Sequence, residues 1–150
     1  MAKLPNNPLV SELFKAVHGK KTAPQKVALL KEHKRDDVKA LLIWNFDKGI
    51  ESAVPEGDVP YKKNDSPAGT AGHTRLVHEW RTLYNFIRGG NDKLSNMRRE
   101  NLFVQLLEGL HADEAEIVCL AKDADLQSKY KITRSVVEQA FGDEINWRDR

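Results

Sequence analysis

Residues 93–122 constrain the fold more than any other part of the chain. The middle of this stretch leaves hardly one polar face on a helix, since it contains Leu102, Phe103, Val104, Leu106, Leu107 and Leu110. A helix that is apolar on nearly every side is normally surrounded by other helices. We therefore predict a central buried helix at about residues 96–110, with a second apolar helix over residues 117–121 packed beside it.

Other helices are indicated by capping residues that precede apolar residues at helical spacing. The predicted caps are Asn7, Thr22, Asp36 or Asp37, and Thr133, and a further helix is predicted to start at Thr74. No alternating pattern typical of a β-strand occurs, and 150 residues suit one domain with one core. The expected fold is an all-α, compact, single-domain bundle of about six or seven helices over residues 1–150.

Three stretches interrupt or follow the predicted helices. Residues 50–73 are rich in Pro, Gly, Asp, Asn and Ser and predict one long loop. Residues 123–132 predict a polar turn, and residues 143–150 a short C-terminal tail. Trp80 and Tyr84 share helical spacing with Leu76 and Leu83, which favours a place in the core over a base-stacking role.

The composition narrows the class of protein. No apolar run approaches the roughly 20 residues that cross a bilayer, and the first residues lack the apolar core of a secretory signal. We therefore expect a cytoplasmic protein with no membrane partner. The net charge is only +2, but residues 1–35 hold eight lysines and arginines against two acids, whereas residues 101–150 hold six against ten. Basic and acidic segments thus alternate along the chain.

Signals for catalysis or cofactor binding are missing. Cys119 stands inside an apolar run and is expected to be a buried structural thiol. The five histidines are too scattered to predict a metal site, being His18, His33, His73, His78 and His111. No phosphate-binding loop, dinucleotide fingerprint or nucleophile elbow is present. We expect neither an enzyme nor a cofactor-binding protein.

Three basic turns precede predicted helices, at residues 19–22, 88–96 and 129–134. Each combines lysine or arginine with a turn and a capping residue. The free N–H groups at the start of a helix and a nearby cation can both bind phosphate oxygens. The recurrence of this pattern predicts phosphate binding, while solvated lysines on amphipathic helices are the plain alternative.

The order of these elements resembles the N-terminal DNA-binding domain of ATP-dependent DNA ligases, especially those of tailed phages. The resemblance covers about residues 9–145. It rests on LFKAVHGKKTAPQKVALLKEH, VKALLIWNFDKGI, TRLVHEWRTLYNFIRGG, the turn KLSN and the segment LAKDADL. It implies an all-helical domain that holds duplex or nicked DNA by its sugar-phosphate backbone, without reading sequence. The DNA contacts it implies are Lys20, Lys21, Lys26, Arg88, Lys93, Ser95, Asn96, Lys129, Lys131 and Arg134.

The catalytic part of such ligases has no counterpart here. Ligases need a lysine nucleophile in a K-x-D-G motif, and Asp47-Lys48-Gly49 has those letters in the wrong order. Ligase activity is therefore excluded, and the resemblance implies a non-catalytic accessory protein that is encoded by a phage. The alternative is an interaction module that keeps the helical scaffold and docks its acidic loop or acidic C-terminal region onto a replication, transcription or virion protein.

Overall fold

The computed structural model describes residues 8–33, 35–47, 49–54, 57, 59–63, 74–130 and 132–142. These residues form eight α-helices: α1 (Val10–His18), α2 (Ala23–Glu32), α3 (Asp36–Phe46), α4 (Leu76–Glu79), α5 (Asn96–Gly109), α6 (Ala112–Lys122), α7 (Leu126–Tyr130) and α8 (Arg134–Phe141). A 3-10 segment, Trp80–Phe86, directly follows α4. The described residues contain no β-strand, which confirms the predicted all-α class. None of their helices is long and apolar enough to cross a membrane.

Hydroxyl side chains cap three helices. The Oγ1 of Thr22 accepts from the N–H of Gln25 at the start of α2, and the Oγ1 of Thr133 does the same for Val136 in α8. The Oγ of Ser95 accepts from the N–H of Arg98 in α5. The predictions for α2 and α8 are therefore confirmed, as is the helix start at the second basic turn.

Two other predicted caps need correction or cannot be described. Asn7 lies outside the described residues, and α1 begins after Leu9, whose N–H donates to the Glu12 carboxylate at 2.9 Å. Asp36 and Asp37 do not cap α3, because the cap position is Arg35. Asp37 is buried and accepts from the Arg35 guanidinium at 3.1 Å, so a nearby cation took the place of the expected backbone donors.

The centre of the bundle is α6, one helix later than predicted. This helix packs against α1, α3, α5 and α7, and buries Ile117, Val118 and Ala121. By contrast, α5 packs on α6 and on the 3-10 segment, and leaves Leu102 and Val104 only partly buried. The reason is that Arg98, Asn101 and Gln105 form an exposed polar face along α5, which keeps this helix at the side of the core.

The segment after Thr74 differs from the continuous helix that the spacing predicted. Only Leu76–Glu79 is α-helical, and the tighter 3-10 winding that follows has three residues per turn. The change of period turns Phe86 into the core, at 2% exposed, and Tyr84 outward, at 49% exposed. The core position predicted for Tyr84 is therefore wrong, whereas Leu83 is buried as expected.

Residues 123–132 are not merely a polar turn, because α7 forms there. Leu126, Tyr130 and Ile132 are buried, and the ring of Tyr130 meets that of Phe14 edge to face. A residue far away in the sequence fixes the start of this short helix: the Oδ1 of Asn45 in α3 accepts a hydrogen bond from the N–H of Leu126 at 3.0 Å. Tertiary contacts of this kind stabilise a helix that is too short to form by itself.

A buried lysine holds the loop after α3 on the end of α6. The Nζ of Lys122 donates to the carbonyl of Gly57 at 3.1 Å and to the Asp123 carboxylate at 2.5 Å. The hydroxyl of Ser52 donates to the carbonyl of Lys122 at 2.6 Å and accepts from the indole N–H of Trp44 at 2.8 Å. The predicted tail, residues 143–150, lies outside the described residues.

Candidate nucleic-acid interface

The first predicted basic turn joins α1 to α2. The side-chain oxygen of Gln25 accepts from the N–H of Lys21 at 3.3 Å, which closes the turn around the Thr22 cap. Lys21 is exposed and Lys20 is partly exposed. Neither lysine forms an ion pair with any carboxylate of the described residues. Lys26, one turn further along α2, is partly buried.

The second turn, before α5, is built around the buried side chain of Arg99. Its guanidinium donates to three backbone carbonyls, those of Asn85 at 2.9 Å, Asn91 at 3.0 Å and Leu94 at 3.1 Å. It also donates to the side chain of Asn96 at 2.9 Å. Arg99 is only 6% exposed, so it does not contact a ligand itself. Its role is to fix the backbone that presents the helix start.

Glycine is required within that second turn. A Cβ atom at position 90 would lie 1.9 Å from the carbonyl oxygen of Tyr84, closer than any real contact. Gly89 has a φ of +84°, a backbone conformation that favours glycine. The turn therefore exposes Lys93, Ser95 and Asn96 at the start of α5 in a fixed arrangement.

The cations of the third turn are already paired. Lys129 forms a short ion pair with Glu116 of α6, and Arg134 pairs with Glu138 one turn along α8 at 3.4 Å. Lys131 lies outside the described residues. From the second turn, Arg88 pairs with Glu51 at 3.4 Å, although both side chains are 72% exposed. Carboxylates thus neutralise three of the predicted contacts, which charge counting along the sequence did not detect.

The three basic turns do not all belong to helices that pack against one another. The helices α2 and α8 pack closely against each other, which brings the elements of the first and third turns together. The second turn belongs to α5, which packs on α6 and the 3-10 segment instead. A further cation, Arg98, was missed by the sequence reasoning: it is exposed in the first turn of α5 and pairs with no described carboxylate.

Of the titratable groups with shifted pKa values, Glu114 and Asp113 lie away from these turns, whereas Tyr130 lies within the third turn. Burial raises the pKa of the Glu114 carboxyl to about 7, although hydrogen bonds from the N–H groups of Val10 and Leu76 oppose the shift. A hydrogen bond from Lys15, at 2.6 Å, holds the pKa of Asp113 below its usual value. Burial also raises the pKa of Tyr130. These groups stabilise helix ends and the core.

No group of three or more His, Cys, Asp or Glu side chains within the described residues is placed to hold a metal ion. Cys119 forms no disulfide and is partly buried, less than the sequence predicted. Cys119 belongs to α6, and the inner face of this helix packs into the core.

Comparison with known proteins identifies a family whose function is unknown. Residues 13–128 match the model of a family of unknown function, DUF6433. No curated protein matches the sequence. The resemblance to the DNA-binding domain of ligases therefore stays a prediction.

Proposed function

Because the chain belongs to DUF6433, a family of unknown function, we propose its function from its own geometry: it is a non-catalytic protein that binds the sugar-phosphate backbone of duplex or nicked DNA. The supporting observation is a difference between helix starts. The first turns of α2, α5 and α8 contain no acidic residue, whereas those of α1, α3 and α6 all do. The short helix α7 also lacks an acid in its first turn. Among the described helices of eight or more residues, the three without acids are those that follow the basic turns.

A helix start of this kind favours an anion for two physical reasons. Its free N–H groups donate to phosphate oxygens, and the aligned peptide dipoles leave a partial positive charge there. A carboxylate in the first turn would compete with phosphate for both. Such contacts hold the backbone without reading bases, so the binding is independent of sequence.

The charge available for binding comes mainly from four side chains. Lys20, Lys21, Lys93 and Arg98 pair with no described carboxylate, whereas Lys129 and Arg134 must give up or share their partners. Four phosphate contacts predict an affinity of about micromolar order at low salt. They also predict a loss of about a hundredfold between 50 and 200 mM salt, as counterions compete for phosphate.

The proposal is tested by the fluorescence anisotropy of labelled 20-base-pair duplexes, intact and nicked, mixed with the full chain at low and high salt. The variant Lys20→Glu, Lys21→Glu, Lys93→Glu should abolish binding. The variant Lys62→Glu, Lys63→Glu is the matched control, since it reverses two exposed lysines outside the basic turns and should bind more tightly than the triple variant. Lys129 is not used, because its reversal would also break the pair with Glu116.

Two results would count against the proposal. Full binding by the triple variant would show that these helix starts are not the contact surface. An absence of binding at 50 mM salt would favour the interaction module in place of DNA binding. Since DNA is the proposed ligand, the proposal also implies a cytoplasmic site of action.

A further inference from the structure

An open apolar pocket lies between α3 and the 3-10 segment, away from the basic turns of α2 and α8. Its volume is about 240 Å³. Ile43 and Trp44 of α3 form one wall, and Trp80, Tyr84 and Ile87 form the other. Within the described part of the chain, Arg81 is the one charged side chain that lines it.

The size and lining of the pocket favour side chains of a protein partner over a small molecule. Ligand sites usually have roughly 300–1,000 Å³ and several polar groups that orient the ligand. Here the indole N–H of Trp44 is already used by Ser52, at 2.8 Å. Arg81 is then the main polar group of the lining, so a nucleobase would find few partners for its polar edge. One large apolar side chain meets no such penalty.

The rim carries the residue types that contribute most to protein interfaces. Tryptophan, tyrosine and arginine are the side chains most enriched among binding hot spots. Tyr84 is 49% exposed, and among the described residues Met97 is the one other large apolar side chain that is exposed. The guanidinium of Arg81 lies over the Trp80 ring, 5.5 Å from its centroid, and is thereby held at the mouth.

The charge at the mouth identifies the partner's chemistry. Arg81 is exposed and pairs with no carboxylate of the described residues, in contrast to Arg88, which has Glu51. An arginine held on an aromatic ring keeps its outer N–H groups free for a carboxylate. A partner that fills the pocket with an apolar side chain would complement Arg81 with an adjacent Asp or Glu.

We propose that this pocket docks an acidic segment of a protein partner, which inserts one large apolar side chain between α3 and the 3-10 segment and places a carboxylate on Arg81. The site is independent of DNA binding by the helix starts. A chain that binds no DNA would still dock the segment.

The test uses a random 12-residue peptide library displayed on phage and selected on the full chain. Enriched peptides should share a Phe, Trp or Leu next to Asp or Glu. For a synthetic fluorescent copy of the best peptide, Tyr84→Ala and Arg81→Glu should each weaken binding at least about tenfold. Met97→Ala and Arg98→Glu are the matched controls, because they change an exposed apolar residue and an exposed, unpaired arginine outside the pocket, and should alter binding less than twofold.

Circular dichroism should show folded protein for all four variants, since the changed side chains are exposed. A second pocket variant, Ala40→Phe, fills the cavity from α3 and should also prevent peptide binding. The proposal is overturned if no peptide is enriched, if enriched peptides lack acids, or if they bind equally well to the pocket variants. It is also overturned if the pocket holds an oligonucleotide or a second copy of this chain in place of the peptide.

Discussion

The buried carboxylate of Glu114 should make the stability of this protein fall as pH rises. Glu114 is 1% exposed and lies in the first turn of α6. It accepts from the N–H of Val10, the first residue of α1, at 3.2 Å, and from that of Leu76, the first residue of α4. One side chain thus serves three helix starts, and its protonation state affects all of them.

The sign and size of this change in stability follow from the pKa of Glu114. Burial raises the pKa of Glu114 from 4.5 to about 7, while attraction by Arg75 lowers it and repulsion by Asp37 raises it. Below pH 4.5 the group is protonated in the folded and unfolded states alike. Between pH 4.5 and 7 only the unfolded state loses the proton, so the free energy of unfolding falls. At about 1.4 kcal/mol per pKa unit, the total loss is about 3 kcal/mol and levels off above pH 7.

The change Glu114→Gln removes this proton while keeping the shape and one oxygen acceptor. Urea unfolding of both proteins from pH 4.5 to 8.5 measures the difference in the free energy of unfolding at each pH. We expect that difference to change by about 3 kcal/mol over the range, in favour of the variant at high pH. Groups that do not interact with Glu114 contribute equally to both proteins and cancel. Parallel curves for the two proteins would refute the reasoning.

Three further predictions concern the backbone and buried charge. Gly90→Ala should destabilise the protein by about 2 kcal/mol or more in urea unfolding, because its Cβ would overlap the carbonyl of Tyr84; an unchanged midpoint would contradict the turn geometry. Arg99→Met should lower the free energy of unfolding by about 3 kcal/mol, because it leaves three backbone carbonyls without their donor. Arg98→Met changes the exposed neighbour and should lower it by less than about 0.5 kcal/mol. Equal losses would show that the burial of Arg99 is unimportant. Ala124→Gly should raise the midpoint of thermal unfolding and add about 0.5–1 kcal/mol to the free energy of unfolding, because Ala124 has a φ of +55° that glycine adopts without strain. A lower midpoint would mean that the alanine side chain stabilises the fold by more than the strain costs.

The candidate site was only partly visible in the sequence. The turn-and-cap pattern correctly marked the helix starts at Thr22, Ser95 and Thr133, because a cap and its N–H donor are three residues apart. The same pattern could not show that Lys129 is paired with Glu116, 13 residues earlier. The apolar pocket was also hidden, since it depends on the 3-10 winding that turns Tyr84 outward.

The sequence by itself determined the all-α class and the helix starts at Thr22, Ser95 and Thr133. Both depend on interactions within one or two turns, which the order of residues records directly. Tertiary structure alone decided which helix is central and which charges are buried. The donors to Glu114 and the acceptor of Lys122 come from far along the chain, with Val10 separated by 104 residues and Gly57 by 65. Such contacts exist only once the chain has packed, because burial strengthens polar interactions that solvent would otherwise weaken.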